Sequence, residues 1–177
     1  MRRCPTSRRN RVPSGSYFFT VNLLERNSRL LVRHIERLRE AIRKVHRQRP
    51  FRIDAWVVLP DHLHAVWTLP PCDADYAGRW RAINKALPKT ERLSAVRVKK
   101  GERGLWQRRF WAHTIRDDRD YAAHIDYVHI NPVKHGLVAR VQDWPYSSFH
   151  RFVMRGVYPR DWAGGDALEL SAGERGD

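Results

Sequence analysis

Apolar side chains at every second position mark the first ordered stretch of the chain. In residues 16–23, Tyr17, Phe19, Val21 and Leu23 fall on one side, the alternation of a strand. The period then lengthens. Leu31, Ile35, Leu38, Ile42 and Val45 recur at steps of four and three, the stripe of an amphipathic helix with Arg33, Arg37 and Lys44 off it, and Pro50 stops it. Residues 51–59 and 62–69 predict two further strands, paired antiparallel across a tight turn at Pro60-Asp61. Asp73 is expected to cap a second helix whose buried stripe is Tyr76, Trp80, Ile83 and Leu87, with Pro88 at its end. A basic, glycine-containing loop around 94–104 leads to a fourth strand over 105–115. A last helix follows over 117–130, closed by Asn131-Pro132 because a residue before proline resists the helical region.

The resulting order, β-α-β-β-α-β-α, predicts an α+β fold. Its first six elements match a ferredoxin-like antiparallel sheet with two helices on one face, and the added C-terminal helix has the other face available. Residues 1–14 read as a basic flexible arm, 15–160 as the folded domain, and 161–177 as an acidic Gly/Ala-rich tail without a packed structure. An autoinhibitory role for that tail, lying over a basic groove, is the weaker of its two readings.

Charge narrows the class of partner. The net charge is +15, and residues 1–50 alone carry fourteen Lys/Arg against three acids. Such an excess favours a polyanion and makes binding steeply salt-dependent, although basic surfaces also occur in proteins that do no chemistry on nucleic acid. No apolar run approaches the roughly 20 residues that span a bilayer, so no membrane partner is expected. Cys4 and Cys72 form no CxxC pair, which argues against a disulfide framework and a cysteine-based zinc site, and the cytoplasm is the expected compartment.

Candidate chemistry lies at two places. His62 and His64 flank Leu63 on the third strand, so both imidazoles share one face while Leu63, Ala65 and Trp67 share the other. Two imidazoles on one strand face can share a divalent cation, yet an isolated pair fits two unrelated histidines at a hairpin better. On the last helix, Tyr127 and Asn131 are one turn apart, with His124 three residues before the tyrosine. Tyr121, Ile125 and Val128 suffice for a buried stripe, which leaves Tyr127 unneeded for packing and beside an amide oxygen that completes a three-ligand set. The plain alternative is a half-buried core tyrosine and a C-terminal helix asparagine.

Four segments carry a resemblance: AWVVLPDHLHAVWTLP (55–70), GLWQRRFWAHTIRDD (104–118), YVHINPVKHGLV (127–138) and DWPYSSFHRF (143–152). Together they resemble the single-tyrosine HUH transposases, specifically the REP-associated tyrosine transposases of bacteria. The resemblance implies that His62, His64 and Asn131 bind a divalent metal, Mg²⁺ or Mn²⁺, and that Tyr127 is the nucleophile. It implies a single-stranded DNA endonuclease and strand transferase that acts at hairpins of repetitive extragenic palindromes through a 5′-phosphotyrosine. It also implies a monomer. Relatives often carry an acid between Trp and His of the fourth strand, where this chain has Ala112.

A phosphotyrosine ester keeps the energy of the broken bond, so a 3′-OH can reverse it without ATP, whereas water would cut irreversibly. Tyrosine is only about one part in a thousand ionised at pH 7, so activation is needed. His124 is the candidate proton acceptor, with a solvated helix residue as its equal alternative. Arg2, Arg3, Arg8, Arg9, Arg108, Arg109, Arg116 and Lys134 are candidates for phosphate contacts, and Trp80 or Trp111 for stacking on an unpaired base. The competing readings are a DNA or RNA hairpin-binding protein without catalysis and a metal hydrolase that uses water.

Overall fold

The computed structural model describes residues 11–24, 26, 29–87, 105–107 and 109–164. Arg2, Arg3, Arg8, Arg9, Arg108, the 94–104 loop and the tail beyond 164 lie outside the described residues.

Four strands form one antiparallel sheet in the order β2-β3-β1-β4, the ferredoxin-like arrangement expected from the element order. They are β1 (Ser16–Asn22), β2 (Arg52–Val58), β3 (His62–Thr68) and β4 (Trp111–Thr114). The helices between them are α1 (Leu30–Arg33), α2 (Ile35–Gln48) and α3 (Tyr76–Ala86). After β4 come α4 (Asp118–Lys134), a 3₁₀ turn at Val141–Asp143 and α5 (Phe149–Met154). No helix among the described residues is long and apolar enough to cross a membrane.

Strand alternation divides the interior into two layers. Tyr17, Phe19, Val21, Leu63, Ala65 and Trp67 pack with the apolar stripes of α1, α2 and α3. Phe18, Ala55, Val57 and Val66 point the opposite way and pack with Ile125, Tyr127 and Val128 of α4. A sheet that must bury both faces has little room for polar side chains, so each one found there needs partners.

Several boundaries differ from those the sequence suggests. The long stripe from Leu31 to Val45 is carried by two helices, with His34 at the junction. Asp75, rather than Asp73, caps α3, accepting the Gly78 N–H at 2.8 Å; Asp73 holds the preceding turn by accepting from Asp75 N–H and from buried Arg79. The expected 105–115 strand is split. Residues 105–107 still follow the end of β1, through Leu24 N–H to the Leu105 carbonyl and Gln107 N–H to the Asn22 carbonyl, but the regular ladder resumes only at Trp111.

The largest difference concerns Pro132, which was expected to end the last helix and instead lies inside it. Proline fixes a helix-compatible φ, but it removes the hydrogen bond to the Val128 carbonyl and crowds that carbonyl with its ring, at a cost of about 3 kcal/mol that packing must offset. The turn before it is held by the Asn131 side-chain amide, which donates to the Tyr127 carbonyl at 2.9 Å. Beyond it, His135 N–H donates to the Asn131 carbonyl, Gly136 N–H to Val133 and Leu137 N–H to Pro132. Gly136 takes φ +65°, the left-handed turn that ends the helix one residue past His135.

Candidate active site and metal centre

On the α4-facing side of the sheet, β3 presents His62 and His64 as the alternation requires, both buried, at 3 % and 0 % exposure. Their rings stand 5.0 Å apart between centroids. Each has a partner on Nδ1. His62 Nδ1 lies 2.7 Å from Asp61 Oδ1, and His64 Nδ1 lies 2.9 Å from the Thr20 hydroxyl, the residue opposite it on β1. The Asp61 carboxylate can only accept and so fixes the His62 tautomer with Nε2 aimed away, while the Thr20 hydroxyl orients the His64 ring, the arrangement that supports metal-ligating histidines.

Asp61 is itself held by Arg26, whose Nε donates to Oδ2 at 2.8 Å. Burial pushes the Asp61 carboxyl up, but the bond and charge of His62 and the Arg26 guanidinium outweigh it and leave it below the usual carboxylate range. The carboxylate therefore stays charged beside His62 at neutral pH.

From α4, Tyr127 packs against His64, and Asn131 lies one helical turn further on; both are fully buried. The Tyr127 ring stands edge-on to His64 at 5.4 Å and to Phe18 at 5.7 Å. Tyr127 is thus a member of the core, and the expectation that packing does not need it is corrected: with both sheet faces covered, an inward residue of α4 has nowhere else to go. The ammonium of Lys134 stands 4.7 Å from its ring centroid, a cation against the π-face.

The donor set fits a metal ion. His62 Nε2 and Asn131 Oδ1 are buried and hydrogen-bonded to nothing among the described residues. A buried imidazole nitrogen and a buried amide oxygen left so are costly unless something else occupies them. His135 joins them: its ring lies 4.8 Å from that of His62, and ligand atoms of His62, His64 and His135 all fall within 4.8 Å of one another. Ending the last helix at Pro132 hid this residue from sequence reasoning, although its spacing of four from Asn131 is the signal that would have found it. Beside the cluster, Arg26, Arg29, Asp61, His62 and His135 line a cavity of about 280 Å³.

The other expected residues divide. His124 is 7 % exposed, so it is not a solvated helix residue. Its Nδ1 lies 2.8 Å from the Asp120 carbonyl, and its ring meets His113 at 4.7 Å and Phe18 at 4.8 Å. Phe18 thus touches both His124 and Tyr127. Burial lowers the His124 pKa, only partly offset by Asp120, and keeps the ring neutral at pH 7. His113, Asp120 and His124 form a second cluster of metal-type donors that spacing did not reveal, because it joins β4 to α4. In it, Asp120 is occupied by hydrogen bonds from His113 Nε2 at 2.8 Å and from Arg116.

Trp80 is excluded as a base-stacking residue. It is 2 % exposed, stacked on Trp67 at 4.2 Å on the opposite face of the sheet. Trp111 is on the α4 face, 36 % exposed and stacked flat on His113 at 5.8 Å. Arg109, Arg116 and Lys134 are exposed. Ala112 pairs with Phe19 and packs in the α2–α3 layer, on the face away from the histidine pair.

No family model matches the chain. A REP-associated tyrosine transposase of Escherichia coli (strain K12) is 52 % identical over 168 residues, covering 95 % of this chain and 96 % of that protein. A putative REP-associated tyrosine transposase of Haemophilus influenzae is 45 % identical over 168 residues, 92 % of this chain and 96 % of that protein. A solved structure of a REP-associated tyrosine transposase bound to a REP hairpin superposes with a TM-score of 0.84 at 51 % identity, covering 97 % of this chain and 98 % of that one. The chain belongs to the REP-associated tyrosine transposases.

Proposed function

We propose that this protein nicks and rejoins single-stranded DNA beside REP hairpins, with Tyr127 as nucleophile and His62, His64 and Asn131 as ligands of a divalent metal, Mg²⁺ or Mn²⁺. The observation that carries the reading is the packing of α4 on β3, which sets the Tyr127 ring against His64. β3 brings two imidazoles, each anchored through Nδ1, and α4 brings a tyrosine and an amide oxygen one turn apart. The hairpin comes from the solved relative, which holds one, and the charge of +15 suits a phosphate backbone.

The bound metal supplies Lewis-acid charge to the scissile phosphate, and neutral ligands leave that charge undiminished. The protein does the rest. Tyr127 Oη gives its proton to a base, for which His124 is the candidate, and attacks phosphorus; the bond from phosphorus to the 3′ oxygen breaks, and that oxygen takes up a proton from water and leaves as a 3′-OH. The product is a 5′-phosphotyrosine, from which a 3′-OH regenerates the diester by the reverse exchange. The Lys134 ammonium stands over the phenol ring, 4.7 Å from its centroid, a positive charge beside the nucleophile. Asp61 and Thr20 hold the two imidazoles in place. Full burial of Tyr127 requires that DNA binding uncover its hydroxyl before a phosphate reaches it. Arg109, Arg116 and Lys134 are the described candidates for phosphate contacts, Arg26 and Arg29 extend them, and Trp111 offers a partly exposed ring to an unpaired base. The protein acts as a monomer in this reading.

The test is incubation with a labelled single-stranded oligonucleotide bearing a REP hairpin and Mn²⁺, resolved by denaturing electrophoresis. The expected result is a cleaved strand and a protein–DNA adduct, both absent with Tyr127→Phe. Hairpin binding without adduct assigns the chain to a binding role, and cleavage by Tyr127→Phe assigns it to hydrolysis by water.

A further inference from the structure

We propose that His135 is a third imidazole ligand of the metal in this site, and that it makes the centre prefer Mn²⁺ and the later first-row ions to Mg²⁺. The proposal rests on the metal-site reading above and goes beyond its ligand set of His62, His64 and Asn131.

Tyr127, Asn131 and His135 follow one another at steps of four along α4, and residues so spaced share a helical face. That face reaches His135 only because the helix runs through Pro132; His135 N–H closes on the Asn131 carbonyl and so fixes the residue one turn past the amide ligand. There its ring stands edge-on to His62, 4.8 Å between centroids. The ligand atoms of His62, His64 and His135 lie within 4.8 Å of one another. Three donors bonded to one ion at roughly 2.1 Å stand at most about 3.6 Å apart, so shifts of about 0.7 Å in each side chain complete the set. His135 is exposed where the other two are buried, and it borders the cavity lined by Arg26 and Arg29. The third imidazole therefore reaches the ion from the solvent side, the side from which a phosphate must also come.

Donor chemistry decides the metal. Mg²⁺ takes oxygen ligands in near-ideal octahedra and keeps several waters, whereas imidazole suits the transition ions, with affinity rising from Mn²⁺ towards Cu²⁺. Two imidazoles and an amide oxygen leave both classes admissible. A third imidazole moves the balance to the transition ions.

The experiment is a Mn²⁺ titration of the full chain followed by electron paramagnetic resonance, with Mg²⁺ as competitor, and a pulsed measurement that counts imidazole nitrogens coupled to the bound ion. Wild type should show three coupled imidazoles and His135→Ala two. Loss of partners around a ligand already costs roughly 10- to 100-fold in metal affinity. His135→Ala should therefore weaken Mn²⁺ binding at least about tenfold and reduce the Mn²⁺/Mg²⁺ preference by a similar factor. Because the side chain is exposed, the variant should keep its circular dichroism spectrum and melting temperature without metal. Two imidazoles in wild type, or equal Mn²⁺ affinity in His135→Ala, overturns the proposal. His62→Ala separates the levels: if it loses Mn²⁺ while His135→Ala does not, only the third ligand is wrong. If His62→Ala binds Mn²⁺ as wild type does, the metal site itself falls.

Discussion

Replacing Asp61 by Ala tests whether the histidine pair is held for a metal or merely stored in the core. The carboxylate accepts from His62 Nδ1 at 2.7 Å through one oxygen and from Arg26 at 2.8 Å through the other. Without it, His62 keeps its place on β3, but nothing selects the tautomer that aims Nε2 at the ion. Loss of such a partner lowers metal affinity roughly 10- to 100-fold, about 1.4 to 2.7 kcal/mol. The thermal consequence follows by linkage. At a Mn²⁺ concentration one hundred times the wild-type Kd, binding stabilises the fold by about 2.7 kcal/mol. In Asp61→Ala the same concentration is only one to ten times Kd, and the stabilisation falls to between about 0.4 and 1.4 kcal/mol. The assay is chemical denaturation of both proteins with and without Mn²⁺, beside calorimetric titration. Asp61→Asn, which keeps an acceptor for His62, should recover part of the affinity. An Asp61→Ala protein that is destabilised without metal yet gains as much from Mn²⁺ as wild type would refute the reasoning and make Asp61 a turn residue only.

Three further outcomes are expected. Tyr127→Phe should change unfolding stability by no more than about 1 kcal/mol because only a hydroxyl is lost, whereas Tyr127→Ala should cost about 3 to 5 kcal/mol by opening a cavity against Phe18 and His64; equal melting of the two would show that the ring is not packed as described. Annealing a complementary strand across the scissile step should slow cleavage at least about tenfold, the scale of about 1.4 kcal/mol of unpairing, and affinity should fall steeply with salt; equal rates on duplex and single strand would remove the single-strand requirement. Burial raises the Asp120 carboxyl, but hydrogen bonds from His113 and Arg116 outweigh it and bring its pKa down from 3.8 to about 2. A depressed carboxylate stabilises fully above its unfolded pKa and loses that contribution as pH falls through the folded one. Wild type should therefore shed roughly 1 to 2 kcal/mol between about pH 4 and pH 2, after allowance for screening, and urea midpoints of Asp120→Asn should lack that component.

Local chemistry in the chain determined a good deal by itself. Period-two alternation placed Tyr17, Phe19 and Val21 on one face and required His62 and His64 to share the other, because side-chain direction in a strand depends on parity alone. The step of four between Tyr127 and Asn131 likewise follows from helical pitch, and the quoted segments with the charge of +15 pointed to the family and to a polyanion. What pairs across the fold did not follow. Thr20 faces His64 through strand register, Asp120 joins His113 through the approach of β4 to α4, and Trp80 stacks on Trp67 because α3 lies over that face. None of these is encoded by spacing within one element. Pro132 is the sharpest case. The local rule before proline says stop, yet α4 pressed against β2 and β3 keeps its course for one more turn, the cost of the proline being offset by the packing of Ile125, Tyr127 and Val128. That extra turn, decided by tertiary burial, brings His135 to the two histidines of β3.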